Sequence, residues 1–183
     1  MKHLMPWIGI ALIILVMFGT IYGAVQQSER ATANDPQIQL AEDTAAALNK
    51  ESIPSDLRTG SVDMESSLAS FIIIYDKAGK PIAGSGYLDN KLAKAPMGIL
   101  KQAEGRDYYA ISWQPKSDTR IAAVTTSSRN YYVLAGRNLK EVEQREGHAF
   151  DLAFLGGFIS EVLLLATLLF HHRETLFAKH IVK

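Results

Sequence analysis

The chain has 183 residues, and its 19 Lys and Arg residues are balanced by 19 Asp and Glu residues, so its formal net charge is zero. The basic residues are not concentrated in one region, which argues against a nucleic-acid-binding protein. The sequence contains no cysteine, which excludes disulfide bonds, thiolate metal sites and a cysteine nucleophile.

Two apolar stretches, one near each end, dominate the sequence. The first is residues 6–25, PWIGIALIILVMFGTIYGAV, and the second is residues 152–170, LAFLGGFISEVLLLATLLF. Each approaches the ~20 residues that cross a bilayer core. The first stretch is longer than the apolar region of a signal peptide, about 7–15 residues, and lacks a good cleavage site, so we predict an uncleaved anchor.

The two stretches divide the chain into four segments. These are a tail with the first span (1–27), a polar domain (28–148), the second span (149–171) and a short basic tail (172–183). The Lys and Arg residues that flank the spans do not favour one side, but a long middle domain weighs little in such a count and the last tail is basic. We therefore predict a protein of the cell membrane with both termini cytoplasmic and the middle domain outside.

Small residues recur in both predicted spans, near their outer ends. Gly19 and Gly23 lie four residues apart in the first, as do Ala153 and Gly157 in the second. Small residues let helices approach closely in lipid, so we predict that the two pairs face each other, within one chain or across a homodimer. The alternative is that glycine is simply common in spanning helices.

Glu161 lies in the middle of the second apolar stretch. A carboxylate there costs about 2.5–3.5 kcal/mol on insertion scales and marks a functional position by default. Glu161 shares a helix face with Ala153 and Gly157. It is predicted either to contact a partner's spanning helix or to be a protonated side chain that only sets packing, through Thr20, Tyr22 or its counterpart in a second copy.

Helix signals open the middle domain. Asp35 followed by Pro36 is typical of a helix start, and the spacing of apolar residues predicts a helix over residues 36–49. Residues 51–60 are predicted to be a loop and residues 61–70 a short helix.

Runs of β-branched and aromatic residues between turn signals predict strands in the rest of the domain. The predicted strands are residues 71–75, 82–88, 107–114, 119–126 and 130–136. A short helix is predicted over residues 97–103. Asn138 with Glu141 three residues later resembles a capping box, which starts a last helix that leads into the second span. The fold class is therefore α+β, with a five-stranded antiparallel sheet.

This order of elements between two spans resembles the PAS-like or Cache-like extracytoplasmic sensor domains of bacterial transmembrane receptors, such as histidine kinases and chemoreceptors. The segments that carry the resemblance are PQIQLAEDTAAAL, FIIIYDKAGKPIAGSG, YAISWQP, TRIAAVTT and YYVLAGRNLKEVEQRE, within about residues 28–148. In this sequence only the tail 172–183 follows the second span, so we expect no output domain of the kind that those receptors have. A sensor of this kind must report to another protein.

The resemblance implies that a small ligand lies between the sheet and the helical loop. Aromatic side chains would form the walls of that site, and an arginine would pair with a carboxylate of the ligand. The candidate ligand-binding residues are Tyr75, Tyr109, Trp113 and Arg120. The alternative is ordinary core packing of the aromatic residues, with Arg120 exposed on an edge.

No residues indicate an enzyme, a cofactor or a metal site. Ser85 lies between two glycines but lacks the Gly-x-Ser-x-Gly spacing of a nucleophile elbow. His171, His172 and His180 have no carboxylate partner in the sequence pattern, and we expect them at the lipid headgroups.

The sequence thus predicts a membrane-anchored extracytoplasmic sensor or ligand-binding protein that signals through a membrane partner protein. Movement of the exit helix, residues 138–147, against the first span would carry the signal. The alternative is an accessory subunit that binds other proteins and senses nothing. The expected partners are a small molecule, a signalling protein, the lipid bilayer and a second copy of the chain.

Overall fold

The computed structural model describes residues 5–50 and 60–181, with side chains up to residue 173. The described chain forms two compact units. One unit combines the residues up to Ser28 with those from Arg145 onward, and the other is Glu29–Gln144. The predicted loop over residues 51–60 lies, except for Gly60, outside the described residues.

The described residues form three helices and eight strands. The helices are α1 (Met5–Asn49), α2 (Met97–Lys101) and α3 (Lys140–Ile181). The strands are β1 (Val62–Asp63), β2 (Phe71–Asp76), β3 (Pro81–Gly84), β4 (Gly86–Leu88), β5 (Lys91–Leu92), β6 (Tyr109–Lys116), β7 (Thr119–Ser127) and β8 (Tyr131–Asn138).

The larger sheet has the strand order β3-β2-β8-β7-β6. All of its neighbouring strands are antiparallel. The predicted α+β fold with a five-stranded antiparallel sheet is therefore confirmed. A smaller sheet has the order β1-β4-β5, with β1 parallel to β4.

Two helix predictions are wrong. The predicted helix start at Asp35 does not exist, because α1 continues without a break through Pro36. The same face of α1 is buried on both sides of the proline, at Ala33 and again at Gln37 and Ala41, and this burial offsets the hydrogen bond that proline removes.

The predicted short helix over residues 61–70 is replaced by β1 and a turn. The Asp63 carboxylate accepts hydrogen bonds from the Glu65 backbone N–H (3.0 Å) and the Ser66 hydroxyl (2.6 Å). These bonds lower the pKa of Asp63, the Ser66 bond most. A short polar side chain of this kind offers the backbone an alternative to the helix.

The predicted strand over residues 82–88 is divided between the two sheets. Gly84 has a φ of 146°, a conformation that side-chain-bearing residues rarely adopt. The Ser85 backbone N–H donates to the Ile72 carbonyl (2.8 Å), and the Ser85 hydroxyl accepts from the Ile72 N–H (3.1 Å). The chain therefore leaves β2 after Ser85, and β4 joins the smaller sheet.

The larger sheet is covered on both faces, and β2 is accordingly buried from Phe71 to Tyr75. One face packs beneath the α2 region, in a cluster that includes Phe71, Ile73, Tyr75, Trp113, Ile121, Tyr132, Leu134 and Leu100. The other face packs against α1, in a cluster that includes Ala41, Ala45, Leu48, Ile72, Ile74, Val124 and Val133. Alternation along each strand assigns successive side chains to opposite faces.

The start of α3 is attached to the sheet. Asn138 caps the helix, as predicted, because its Oδ1 accepts from the Lys140 backbone N–H (2.8 Å). Glu141, the other residue of the predicted capping box, pairs with Arg137 (2.6 Å). Leu139 and Val142 pack in a third buried cluster with Ala33 of α1 and Ala122 of β7.

We predict that Phe71→Ala destabilises the sheet unit by about 3–5 kcal/mol, the usual cost of truncating a buried phenylalanine. Phe71 is 1% exposed, and its ring fills the space over Gly136, where a Cβ would lie 2.6 Å from the ring. Urea unfolding of the full chain in detergent, followed by Trp113 fluorescence in a Trp7→Phe background, measures the loss. Ile82→Ala, at a side chain that is 44% exposed, is the control and should cost about 1 kcal/mol or less.

Candidate functional site

The candidate ligand-binding aromatic residues lie on the sheet face beneath the α2 region. Tyr75 is buried, its hydroxyl donates to the Ala93 carbonyl (2.9 Å), and burial raises its pKa. Trp113 is only 6% exposed in the same cluster. Tyr109 is half-buried, with the Arg106 guanidinium 5.8 Å from its ring centroid. The three rings share the predicted face, and Tyr75 and Trp113 are part of its hydrophobic core.

The register separates these residues along the sheet. Tyr75 pairs with Tyr132 of β8, whereas Trp113 pairs with Ile121 of β7, which in turn pairs with Asn138 at the other end of β8. Tyr75 and Trp113 therefore lie at opposite ends of the face.

Arg120 is on the opposite face from the three aromatic residues. Its neighbour Ile121 points into the α2-side core, and alternation turns Arg120 away from it. The Arg120 guanidinium pairs with Glu143 of α3 (2.7 Å), and both side chains are more than 40% exposed. The structure thus does not bring Arg120 to the aromatic residues, and ligand binding at these four residues stays a prediction.

A polar contact missed by the sequence analysis closes the α2 side of this face. The buried Tyr132 hydroxyl donates to the Glu104 carboxylate, in the turn that follows α2. That hydrogen bond first, and then burial, raise the pKa of Tyr132 to about 12. The Lys77 ammonium lies 4.1 Å from the Tyr132 ring centroid and donates to the Ser127 hydroxyl (2.9 Å). Because Glu104 lies in a segment without a periodic pattern, no sequence signal identified this contact.

The two long helices supply a second candidate site. Both α1 and α3 contain a stretch that is long and apolar enough to cross a membrane. Side chains there are exposed, for example Val16 (67%) and Leu163 (62%). Exposed apolar surface of this extent requires a cover of lipid or protein.

Aromatic side chains form much of the contact between these apolar stretches. The Phe18 ring packs against Gly156, where a Cβ would lie 2.6 Å from Phe18 Cε1. Tyr22 and Phe150 meet edge to face, with ring centroids 5.4 Å apart. Phe150 stacks on Phe154 in turn, at 6.2 Å.

A cleft of about 320 Å³ lies between the same two stretches. Its lining residues are Leu15, Phe18, Gly19, Tyr22, Phe150, Ala153, Phe154, Gly157, Phe158 and Glu161. Four of the five predicted helix-contact residues are thus among them, and Gly23 is not. A Cβ at Gly19 or Gly23 would meet nothing within 4 Å of the described chain, whereas one at Gly157 would meet Phe18. In this helix pair the Phe18 side chain, not a glycine, therefore packs on Gly157.

Glu161 contributes the acidic group of the cleft. Its Oε1 is buried and has no hydrogen-bond partner among the described residues. Within those residues, no three His, Asp or Glu side chains approach closely enough to hold a metal ion. The chemistry that the cleft offers is therefore that of a single carboxyl group in apolar surroundings.

Comparison of the chain with protein-family models, with curated proteins and with solved structures finds no match. The interpretation of both sites consequently depends on their own geometry.

We predict that the free energy of unfolding falls as the pH rises from about 10 to about 12. The ordinary pKa of tyrosine is 10.0, and the folded-state pKa of Tyr132 is about 12. The folded chain therefore keeps this proton when the unfolded chain has lost it, so the stabilisation is complete below pH 10 and disappears through pH 12. Tyr75, whose pKa is also raised, adds to the same slope.

Urea unfolding of the full chain at several alkaline pH values tests this expectation. Tyr132→Phe should flatten the slope, and Glu104→Gln should flatten it in part because it removes the carboxylate and keeps an acceptor. A Tyr132→Phe chain with the slope of the wild type would contradict the assignment.

Proposed function

We propose that the chain is a membrane-anchored extracytoplasmic sensor that passes a conformational signal through its two long helices to a partner protein. The observation that carries the proposal is the continuity of those helices. Both α1 and α3 run without a break from the sheet unit into an apolar stretch. In the proposed mechanism, a displacement of either helix at the sheet is transmitted along that continuous helix.

Both helices contact the sheet in one buried cluster. Ala33 of α1 packs there with Leu139 and Val142 of α3 and with Ala122 of β7. A change in the sheet at β7 thus bears on both helices at once. Signal transfer further requires two arrangements of these elements with different affinities for the ligand.

Two ion pairs join the first turns of α3 to the sheet. Glu143 pairs with Arg120 of β7 at 2.7 Å, and Glu141 pairs with Arg137 of β8 at 2.6 Å. All four side chains are 31–45% exposed, so each pair contributes only about 0–1 kcal/mol. Ion pairs of this strength hold the start of α3 on the sheet, but the binding energy of a small ligand is sufficient to break them.

The proposed ligand site is the aromatic face beneath the α2 region. The Tyr132–Glu104 contact supports this assignment because it fastens the turn after α2 over that face. The half-buried Tyr109 at the edge strand offers the accessible part of the face. The ligand class is a small molecule, and its identity is left to experiment.

An accessory subunit is the second candidate function. The buried Oε1 of Glu161, which has no hydrogen-bond partner among the described residues, favours it, because an acidic group in an apolar spanning stretch marks a contact site by default. In this alternative, the sheet unit binds another protein and no small ligand is involved. Ligand binding by the sheet unit discriminates the two candidates.

We predict that the sheet unit lies outside the cell and that the end of α3 lies inside. The absence of cysteine from the sequence makes single-cysteine labelling direct. Lys80→Cys, on an exposed turn, should react with a membrane-impermeant maleimide in intact cells. Arg173→Cys should react only after permeabilisation, and its labelling in intact cells would contradict the arrangement.

We also predict that a small metabolite stabilises the full chain in a thermal-shift screen in detergent. A ligand at about 100 times its dissociation constant adds roughly 2.7 kcal/mol to stability. Tyr109→Ala should abolish the shift. Tyr131→Ala is the matched control, since Tyr131 is also half-buried but packs on the α1 side. A screen without any saturable shift would favour the accessory-subunit function.

A further inference from the structure

Glu161 lines the cleft, and its buried Oε1 has no hydrogen-bond partner among the described residues. Hydroxyl groups on the same helices already donate within their own helix. Thr20 donates to the Val16 carbonyl (2.7 Å), and Ser160 donates to the Gly156 carbonyl (2.8 Å). The Tyr22 ring packs on Phe150, which lies about 16 Å along the helix axis from Glu161.

An unpartnered carboxyl group in apolar surroundings costs several kcal/mol, and a cation or hydrogen-bond donor removes that cost. Lipid chains at mid-membrane depth supply no donor. A second copy of the chain is a poor source as well, because the stretches 6–25 and 152–170 contain no Lys or Arg. A symmetric copy would bring a second carboxyl group to the same depth.

The walls of the cleft suit a helix. Gly19, Ala153 and Gly157 are small residues on its lining, and small residues permit close helix approach in lipid. Gly19 has open space in front of its Cα. The volume of about 320 Å³ accommodates side chains of a neighbouring helix.

We propose that a spanning helix of a partner protein packs into this cleft and sets a Lys or Arg side chain against Glu161. The inference rests on the membrane-spanning arrangement of the proposed function, and it specifies the partner's chemistry. Because Glu161 is at the middle of the stretch 152–170, the basic residue lies near the middle of the partner helix.

Energy transfer in lipid vesicles tests the proposal with a defined probe. The full chain carries a donor dye at Lys80→Cys, and the probe is an acceptor-labelled polyleucine helix of about 20 residues with one central lysine. This probe should bind at least about tenfold more tightly than the same helix without lysine, a difference of about 1.4 kcal/mol. Shifting the lysine by one helical turn should reduce the preference.

Variants of the chain separate charge pairing from the shape of the cleft. Glu161→Gln should remove most of the preference for the lysine probe, and Glu161→Leu all of it. Gly19→Leu should weaken binding because it fills the cleft. Gly9→Leu is the matched control, since Gly9 also has open space but does not line the cleft, and it should bind normally.

Three results would overturn the proposal. They are equal binding of both probes, unchanged binding by Glu161→Leu, and self-association of the chain through Glu161 in the absence of a probe. Labelling of Lys80→Cys and Arg173→Cys in the same vesicles distinguishes failure of the helix docking from failure of the membrane-spanning arrangement. If the two cysteines are labelled from opposite sides of the bilayer but the chain binds both probes equally, the docking alone is refuted. If both cysteines are labelled from the same side, the spanning arrangement and the docking are refuted together.

Discussion

The packing of α1 on the five-stranded sheet is the contact on which the sheet unit depends. The buried face of this helix includes the small residues Ala41 and Ala45, which share one buried cluster with side chains of the sheet. Ile72 and Ile74 of β2 are buried beneath it, while Ile73 and Tyr75 are buried on the other side. A strand covered on both faces reads as a continuous apolar run, which is why β2 contains the sequence FIIIY.

The strands could be predicted from the sequence because their signals are local. β-Branched and aromatic residues between turns define β6, β7 and β8 to within about two residues at each end. The continuity of α1 could not be predicted, since Pro36 is a local signal for a helix start and only tertiary burial of Ala33 and Gln37 overrides it. At Asp63 the prediction failed for a local reason. A short helix was expected there, but the hydrogen bond between the Asp63 carboxylate and the Ser66 hydroxyl stabilises a turn.

The features of the candidate sites likewise include some that could be predicted from the sequence and some that required the structure. Alternation correctly assigned Tyr109 and Trp113 to one face, and it also turns Arg120 away once Ile121 is known to be in the core. The contact of Tyr132 with Glu104 joins residues distant in sequence and requires the fold. Glu161 was evident as an acid in an apolar stretch, but the structure was needed to show that its Oε1 has no hydrogen-bond partner among the described residues and that Thr20 and Ser160 donate within their own helices.

The two helices differ in how firmly they are held, and this difference bears on the proposed relay. On α1, six residues between Ala33 and Leu48 are buried in the sheet unit. The start of α3 contributes Val142, with Leu139 just before it, and two half-exposed ion pairs. Leu48 is the large apolar side chain among the six, and the partly buried Ile38 and Leu40 of α1 pack in the same cluster, whereas α3 itself contributes Val142. Burial of such a side chain contributes about 1.5–3 kcal/mol, more than either ion pair. If the sheet changes its arrangement, α1 therefore serves as the fixed reference and α3 is the element that moves relative to it.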